Sequence, residues 1–320
     1  MKKALLYIVY TLAYGFWWVM SLLPLWVLYR LSDLLYYVIT YVVRYRHDVI
    51  WNNLSTSFPE KSKAELREIE HQFYHWFCDY LVETVKLMSI SKRQLMQRMT
   101  FTGMEQIHEI LSEGQSIGVY LGHLGNWEWI TSLPYWTSNG LCCQLYHPLE
   151  NEYFDRLFKY VRELHGALCI PMQESLRKII TLSREGKPLI VGYISDQVPL
   201  WWNIHHWVDF LNHDTPVLTG AERIVKHTGQ AFFYGHVTRV KRGHYNCEMR
   251  LIIRNTKEMV DFEITDLYYK ELERSIKNQP ELYLWSHNRW KRTREEFNKN
   301  WEVKNGKVVK RKKEQPQPQG

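Results

Sequence analysis

Cysteine is scarce in this sequence, and its placement excludes two kinds of protein. The 320 residues include five cysteines, an odd number, and Cys142 and Cys143 are adjacent. No two cysteines have the C-x-x-C spacing of a structural zinc site. A secreted scaffold held by disulfide bonds is therefore excluded, and we expect reduced thiols in a cytoplasmic domain.

The H-E-x-x-H metal motif is also absent, although one histidine-rich segment leaves an alternative open. Residues 201–213, WWNIHHWVDFLNH, include His205, His206, Asp209 and His213. If this segment were helical, residues four apart would share one face and a metal ion. No motif fixes that geometry, so we favour a tryptophan-rich interfacial loop and predict no metal.

Charge is missing from residues 4–29, directly after Lys2 and Lys3. As one helix, this run is long enough to span a hydrocarbon core of about 30 Å. It lacks the short apolar core and the A-x-A cleavage site of a signal peptide. We therefore predict a retained membrane anchor that Pro24 bends or ends. The alternatives are a re-entrant hairpin and a buried helical hairpin of a soluble protein.

The residues around the second apolar stretch, 34–43, predict which side of the membrane holds the main domain. The stretch is too short to span, so we expect it to lie in the interface or to pack on the first helix. Arg30, Arg44 and Arg46 flank it and favour a cytoplasmic domain. The net charge of +7, with 14 Trp and 21 Tyr, suits an anionic membrane surface.

Three regions are predicted along the chain. Residues 1–46 form the anchor and interfacial segment, and residues 47–303 form the main domain. Residues 304–320, which are basic and rich in Pro and Gln, form a disordered tail. The S-x-x-E spacing of residues 57–60 resembles a capping box and predicts that a helix starts there.

From about residue 100, strand-like and helix-like runs alternate without an internal repeat. Strands are predicted at 117–121, 141–147, 167–170, 188–194, 231–240 and 246–254. Helices are predicted near 104–113, 127–138, 151–165, 173–185, 216–229 and 262–278. Alternation of this kind is typical of an α/β domain, and KRGHY (241–245) reads as a hairpin turn. The predicted fold is a central mixed β-sheet flanked by helices, with an N-terminal membrane-anchoring helix.

The segment SIGVYLGHLGNWEW, residues 116–129, is the main candidate for chemistry. His123 follows a predicted strand, at the edge of an α/β sheet where ligands bind. Gly122 and Gly125 allow a substrate to approach the backbone, and Asn126 is placed to cap the predicted helix. A histidine at a strand end is more often structural, so the spacing alone does not establish a site.

Glu128 is the candidate partner of His123. On one continuous helix the two side chains would point about 140° apart, so they can meet only across a loop-to-helix transition. The carboxylate would then fix the tautomer of His123, whose other ring nitrogen would accept a proton from an alcohol.

Five blocks of the sequence resemble one enzyme family in the same order. GHLGNWEW resembles the H-x4-D/E box of the glycerolipid acyltransferases. Its Gly-Asn-Trp-Glu variant is similar to the late acyltransferases of lipid A biosynthesis, the lauroyl/myristoyl transferase type. The other blocks are NNLSTSFPE (52–60), FDRLFKYVRELHG (154–166), GYISDQVP followed by FLNHDTP (192–199 and 210–216), and PELYLWSHNRWKR (280–292). The similarity runs from the anchor to about Arg294.

The resemblance implies a membrane-bound O-acyltransferase with His123 and Glu128 as its catalytic residues. His123 would deprotonate a hydroxyl of a lipid A precursor, and the alkoxide would attack an acyl thioester of acyl carrier protein or coenzyme A. No cofactor beyond that thioester, no metal and no covalent acyl-enzyme are implied. The expected partners are acyl carrier protein, the lipid A precursor and membrane phospholipids, at the cytoplasmic face of a bacterial inner membrane.

Further residues are expected to bind substrate. Arg162 matches the arginine of the family's helix and suits bidentate contact with a phosphate or a carbonyl. Asp196 ends a predicted strand and could line the same cleft or pair with a structural arginine. The candidate substrate-binding residues are Arg162, Arg156, Asn126, Asp196, Arg289 and Lys291.

Departures from the family pattern leave the acceptor and the acyl-chain length open. Leu282 stands where Gln is usual, Trp290 where Phe is usual, and Leu211-Asn212 where Phe-Gly is usual. An acyltransferase for another lysolipid, glycolipid or aminolipid is the first alternative. A non-catalytic basic membrane-binding protein is a remote one. No nucleic-acid-binding motif occurs, and we predict no nucleic-acid partner.

Overall fold

A computed structural model describes residues 2–311, and alternating helices and strands make up most of this part of the chain. The α-helices are α1 (Lys2–Leu22), α2 (Leu25–Tyr37), α3 (His47–Ser57), α4 (Lys63–Lys86), α5 (Lys92–Arg98), α6 (Met104–Ser112), α7 (Glu152–Glu163), α8 (Ser175–Arg184), α9 (Gly220–Thr228), α10 (Glu263–Asn278) and α11 (Arg294–Asn300). The strands are β1 (Met99–Thr102), β2 (Ile117–Leu121), β3 (Leu141–Tyr146), β4 (Leu168–Pro171), β5 (Leu189–Ile194), β6 (His206–Phe210), β7 (His213–Val217), β8 (Ala231–Lys241), β9 (His244–Ile253), β10 (Trp301–Lys304) and β11 (Lys307–Lys310).

The central sheet has seven strands in the order β1-β9-β8-β2-β5-β3-β4. Its neighbouring strands are parallel except β8 and β9, which pair antiparallel across the turn at Gly243. The predicted mixed sheet flanked by helices is therefore confirmed, together with the hairpin. Alternate residues of β2 enter different cores, Tyr120 on one face of the sheet and Val119 on the other. A strand buried on both faces explains the uninterrupted apolar run.

Several strands were not predicted from the sequence, and one predicted α-helix is a 3-10 helix. β1 is short, and β6 with β7 forms a separate hairpin. The helix predicted near 127–138 is a 3-10 helix, Trp129–Tyr135, with Pro134 inside it. The loop from His123 to Glu128 is therefore longer than expected.

The N-terminal region is two helices, so the predicted effect of Pro24 on the helix over 4–29 is confirmed. α1 ends before Pro24 because proline lacks the amide hydrogen that would continue the helix. No single helix among residues 2–311 is long and apolar enough to cross a membrane. Segments Leu6–Leu22 and Leu25–Val42 reach that length and composition only as a pair, which is bent by 118°.

The second apolar stretch packs on α4, where the sequence analysis expected the interface or the first helix. Ser32 donates a hydrogen bond to Asp79 Oδ1 at 2.6 Å, and the Tyr36 ring stacks on His75. Residues Val38–Val42 continue α2 as a π-helix, and the chain then turns at Arg44. These contacts hold the N-terminal helix pair, α1 and α2, against the main domain.

Two boundaries also differ from the predicted ones. Ser57 ends α3, and the capping box is formed five residues later by Ser62 and Glu65. The tail predicted from 304 as disordered begins with an antiparallel hairpin, because β10 pairs with β11. Residues 312–320 of that predicted tail lie outside the described residues.

Candidate active site

The carboxyl ends of β2 and β5 bring His123 and Asp196 together. Leu121 pairs with Ile194 in register, and each functional side chain follows its strand by two residues. The His123 amide donates to Asp196 Oδ2 at 2.9 Å, and His123 Nδ1 lies 2.7 Å from Asp196 Oδ1. Asp196 therefore pairs with His123 among the described residues, and not with an arginine.

The ionisation of Asp196 decides the tautomer of His123. Asp196 is 2% exposed, and that burial raises the pKa of its carboxyl group. Attraction and hydrogen bonds from His123 outweigh the effect of burial and hold this pKa below its usual value. An ionised carboxylate only accepts, so the single proton of the neutral imidazole ring lies on Nδ1. Nε2 is left as the acceptor, on a side chain that is 18% exposed, with Gln197 Nε2 at 3.4 Å.

Glu128 does not make the predicted hydrogen bond to His123. Its two carboxylate oxygens accept from Arg162 Nε at 2.8 Å and Arg162 Nη2 at 2.5 Å. The reason is local, since no α-helical turn follows the loop and Glu128 directly precedes the 3-10 helix. The predicted hydrogen bond between His123 and Glu128 is therefore wrong, since Asp196 contacts the histidine and Glu128 contacts Arg162.

The Arg162–Glu128 pair is largely buried, with Glu128 only 6% exposed. Burial lowers the pKa of Arg162, but the adjacent carboxylate more than offsets this and leaves that pKa raised. The pair links the loop after β2 to helix α7. The two tryptophans that flank Glu128 have different surroundings: Trp127 packs against the His123 ring, whereas Trp129 is fully buried.

Asn126 is an internal connector rather than the predicted substrate-binding residue. Its Oδ1 accepts from the Trp129 amide at 3.0 Å, which confirms the expected cap, here of a 3-10 helix. Its Nδ2 donates to Glu83 Oε2 at 2.7 Å. Asn126 is completely buried, so no part of its amide faces a substrate.

The C-terminal block, residues 280–292, forms backbone hydrogen bonds with the loop that carries His123. The Gly125 amide donates to the Leu282 carbonyl at 3.0 Å, and the Leu284 amide donates to the His123 carbonyl at 3.1 Å. These are backbone contacts, so Leu282 serves as well here as the glutamine usual in the family. His287 also faces the site, because its Nε2 accepts from the Val198 amide at 3.3 Å.

The remaining candidates occupy different environments. Arg289, expected to bind substrate, is 1% exposed and donates to the Pro216 carbonyl and the Tyr269 hydroxyl. Its position makes it an internal support of the C-terminal block. Lys291 is exposed, and Arg156 is exposed beside Glu152 on α7. Among the described residues, Arg156 forms no hydrogen bond with His123.

The histidine-rich segment forms the β6–β7 hairpin, which removes the helical basis of the metal alternative. Leu211 and Asn212 occupy its turn with left-handed backbones, as a two-residue hairpin requires. His206 pairs with Asp266 at 2.7 Å, and His213 stacks on Trp290. Within residues 2–311, no group of three or more His, Cys, Asp or Glu side chains is arranged to hold a metal ion.

Comparison with known families identifies the chain. Residues 1–292 match the family described as bacterial lipid A biosynthesis acyltransferase. The chain belongs to this family. The protein is accordingly an acyltransferase enzyme of lipid A biosynthesis, as the sequence blocks implied. No curated protein sequence matches the chain significantly.

Three features of this acyltransferase are absent from the sequence analysis: the pairing of Asp196 with His123, the approach of Gln197, and the buried Glu83. The pairing had a signal in the sequence, because Asp196 and His123 each follow a predicted strand by a few residues. Glu83 also had a signal, since it lies three residues after Tyr80 on the apolar face of α4, where a charged residue is unusual.

Proposed function

We propose that this lipid A acyltransferase moves a fatty acyl group from an acyl thioester to a hydroxyl of a lipid A precursor, with His123 as general base. The donor in this proposal is acyl carrier protein, and the site of action is the cytoplasmic face of a bacterial inner membrane. The observation that carries it is the Nε2 atom of His123, which the Nδ1–Asp196 hydrogen bond leaves free to accept a proton.

In the proposed reaction, Nε2 of His123 removes the proton of the acceptor hydroxyl as its oxygen attacks the thioester carbonyl. Asp196 stabilises the imidazolium that forms and holds its orientation. The carbon–sulfur bond breaks, an ester forms, and the thiolate of the donor takes up the proton. Gln197, 3.4 Å from Nε2, is placed to contact the reacting groups.

The Glu128–Arg162 pair has a supporting role in this proposal. Arg162 engages both oxygens of Glu128, and the pair holds the loop that carries His123 against α7. Arg162 keeps part of its side chain accessible, so it also remains our candidate for contact with the acceptor's phosphate. Lys291, which is exposed near the end of the C-terminal block, is a further candidate for binding the anionic substrates.

We propose that the bent N-terminal pair attaches the enzyme to the membrane. Large apolar side chains are exposed along both helices, among them Leu12, Phe16, Trp26 and Val42. An apolar surface of this extent is typical of contact with lipid or with another protein. Arg44 and Arg46 follow it and suit an anionic headgroup layer.

Transfer of labelled acyl groups from acyl carrier protein to a purified lipid A precursor tests the proposal. We expect His123→Ala to reduce turnover at least about 10²-fold, the usual consequence of removing a general base. His227→Ala, an exposed histidine on α9, is the matched control and should retain turnover. Unchanged turnover of His123→Ala would refute the base, and transfer only to a lysophospholipid would refute the proposed acceptor.

A further inference from the structure

Two adjacent tyrosines of helix α10 contact the ends of the two strands that form the candidate active site. The Tyr268 hydroxyl donates at 2.8 Å to the carbonyl of Leu121, the last residue of β2. The Tyr269 hydroxyl donates at 3.0 Å to the carbonyl of Ser195, the residue that follows β5. Neighbouring side chains of a helix point about 100° apart, so these two reach different strands. One helix therefore holds the ends of both strands.

Both strand ends lead directly into the residues proposed to act in acyl transfer. His123 follows Leu121 by two positions, and Asp196 follows Ser195 directly. The contact between the two side chains is close, with 2.7 Å between His123 Nδ1 and Asp196 Oδ1. A hydrogen bond weakens steeply as its distance and angle depart from the optimum. A shift of either strand end would therefore weaken the contact that orients the base.

The two tyrosine hydroxyl groups are buried and keep their protons. Tyr268 is 0% exposed, and Tyr269 is 2% exposed. Burial raises the pKa of both hydroxyl groups, and the charge of Asp196 acts in the same direction. A phenol that stays neutral keeps the hydrogen that each strand-end carbonyl accepts. Because both side chains are buried, neither tyrosine is placed to contact the acceptor or the thioester.

Arg289 sets the direction of the Tyr269 hydroxyl. Arg289 is 1% exposed, and its Nη2 donates to the Tyr269 oxygen at 3.1 Å and to the Pro216 carbonyl at 2.7 Å. Both acceptors are uncharged oxygens, which makes the burial of this guanidinium costly. Since the Tyr269 oxygen accepts from Arg289, its own hydrogen is directed to the Ser195 carbonyl. A positively charged donor also strengthens the next hydrogen bond of such a chain.

Leu272 brings the same helix against the residue before His123. Leu272 is fully buried and lies four positions after Tyr268, so the two side chains share one face of α10. A Cβ atom at Gly122 would collide with Leu272 Cδ1. Helix α10 therefore contacts the end of β2 by close packing as well as by a hydrogen bond, and a shift of one is transmitted to the other.

We propose that Tyr268 and Tyr269 are positioning residues for acyl transfer, which set the separation of His123 and Asp196 by holding the two strand ends. The inference rests on the proposed function, in which His123 is the base and Asp196 orients it. Loss of either hydroxyl should lower kcat, because the base is then less well oriented. KM should not change, since both tyrosines are shielded from the substrates.

Removal of one oxygen atom at a time tests this proposal. Tyr268→Phe and Tyr269→Phe keep the shape of the ring, and each should lower kcat for acyl transfer about tenfold. Tyr234→Phe is the matched control, because Tyr234 is also 0% exposed and its hydroxyl donates to Ser275 of α10 rather than to a strand end. All three variants should have similarly lowered melting temperatures, so only kcat separates positioning from stability. Equal losses of kcat in all three, or a change of KM alone, would overturn the proposal.

A spectroscopic measurement separates failure of this proposal from failure of the proposed function. In NMR spectra of enzyme with isotope-labelled histidine, the Nδ1 proton of His123 should give a downfield resonance that is absent from His123→Ala. This resonance should move upfield in Tyr268→Phe and Tyr269→Phe and stay in place in Tyr234→Phe. An unmoved resonance or an unchanged kcat in the two folded variants would overturn the positioning role alone. Full turnover of His123→Ala would instead refute the proposed base, and the positioning role with it.

Discussion

At the scale of single residues, a carboxylate at the neighbouring strand end orients the candidate base. Asp196 contacts both the backbone amide and the ring of His123, so it fixes the loop and the tautomer together. Tyr269 and Tyr283 lie nearby, and burial raises the pKa of both hydroxyl groups, with the charge of Asp196 acting in the same direction. This apolar surrounding strengthens the interaction between His123 and Asp196.

Asp196→Asn should reduce kcat by roughly 10²- to 10⁴-fold with little change in KM, because the amide no longer favours the proton on Nδ1. Steady-state acyl transfer at several pH values measures both constants. Asp261→Asn, at a surface ion pair with Lys226, is the control and should leave kcat unchanged. A KM effect without a kcat effect would place Asp196 in substrate binding instead.

The Glu128–Arg162 pair predicts coupled stabilities. Glu128→Gln and Arg162→Gln should each lower the free energy of unfolding by about 3 kcal/mol, since each leaves the other charge partly buried without its partner. The double variant should lose clearly less than the sum. Urea unfolding of the four proteins measures the coupling, and losses that add within about 0.5 kcal/mol would show that the residues act independently.

At the scale of elements, the turn after β2 determines where His123 lies. Gly125 has a φ of +60°, and a Cβ atom at this position would lie 2.7 Å from Val237 Cγ1. Its amide is also held by the Leu282 carbonyl. The turn therefore combines a left-handed backbone with close packing against β8, and both conditions favour glycine.

Gly125→Ala should lower both the melting temperature and turnover. The left-handed backbone costs about 1–2 kcal/mol with a side chain, and the contact with Val237 adds about 1–3 kcal/mol of overpacking. Gly114→Ala is a matched control, because Gly114 has a φ of +81° and open space around it. It should lower the melting temperature less and leave turnover intact. Equal effects of the two changes would exclude a special role for the turn at Gly125.

At the scale of the whole molecule, one buried carboxyl group connects the N-terminal helix pair, the active-site loop and the sheet. Glu83 accepts hydrogen bonds from Tyr29 of α2, Asn126 of the loop and Tyr245 of β9. Burial and the charge of Asp79 raise the pKa of Glu83 to about 7, while these hydrogen bonds act against the increase. The part of the chain proposed to meet the membrane is thus linked directly to the site.

Glu83 predicts a pH dependence of stability. Since its pKa is raised in the folded state, the folded protein holds a proton that the unfolded chain releases at lower pH. The contribution of Glu83 to the free energy of unfolding is complete below the pKa that this carboxyl group has in the unfolded chain. It is lost as the pH rises through about 7. Across this interval the free energy of unfolding should fall by about 3 kcal/mol.

Chemical denaturation of wild type and Glu83→Gln between pH 4 and pH 8 measures this contribution as a difference between profiles. The difference is needed because His287, whose pKa burial lowers to about 4, has the opposite dependence over part of this interval. Glu258→Gln, an exposed change, should leave the wild-type profile unaltered. Parallel profiles of wild type and Glu83→Gln would show that Glu83 does not titrate in this range.

The elements with the clearest apolar patterns are predictable from sequence. Strand β2 matches its predicted bounds because its five residues are all buried and form one continuous apolar run. β1 is missed because its four residues sit at the sheet edge with mixed burial. The break of the N-terminal pair at Pro24 is also predictable, whereas the packing of α2 on α4 is not, because it depends on contacts between residues far apart in the sequence.

The sequence by itself determined the family, the α/β fold and the presence of a histidine at a strand end. These properties follow from local order along the chain, which motifs and apolar periodicity record. Only the tertiary structure decided which carboxylate meets His123. That choice depends on β5 lying beside β2, a pairing between residues more than seventy positions apart. The H-x4-E spacing places Glu128 near in sequence, but the loop between β2 and the 3-10 helix turns it to Arg162 and leaves Asp196 beside the histidine.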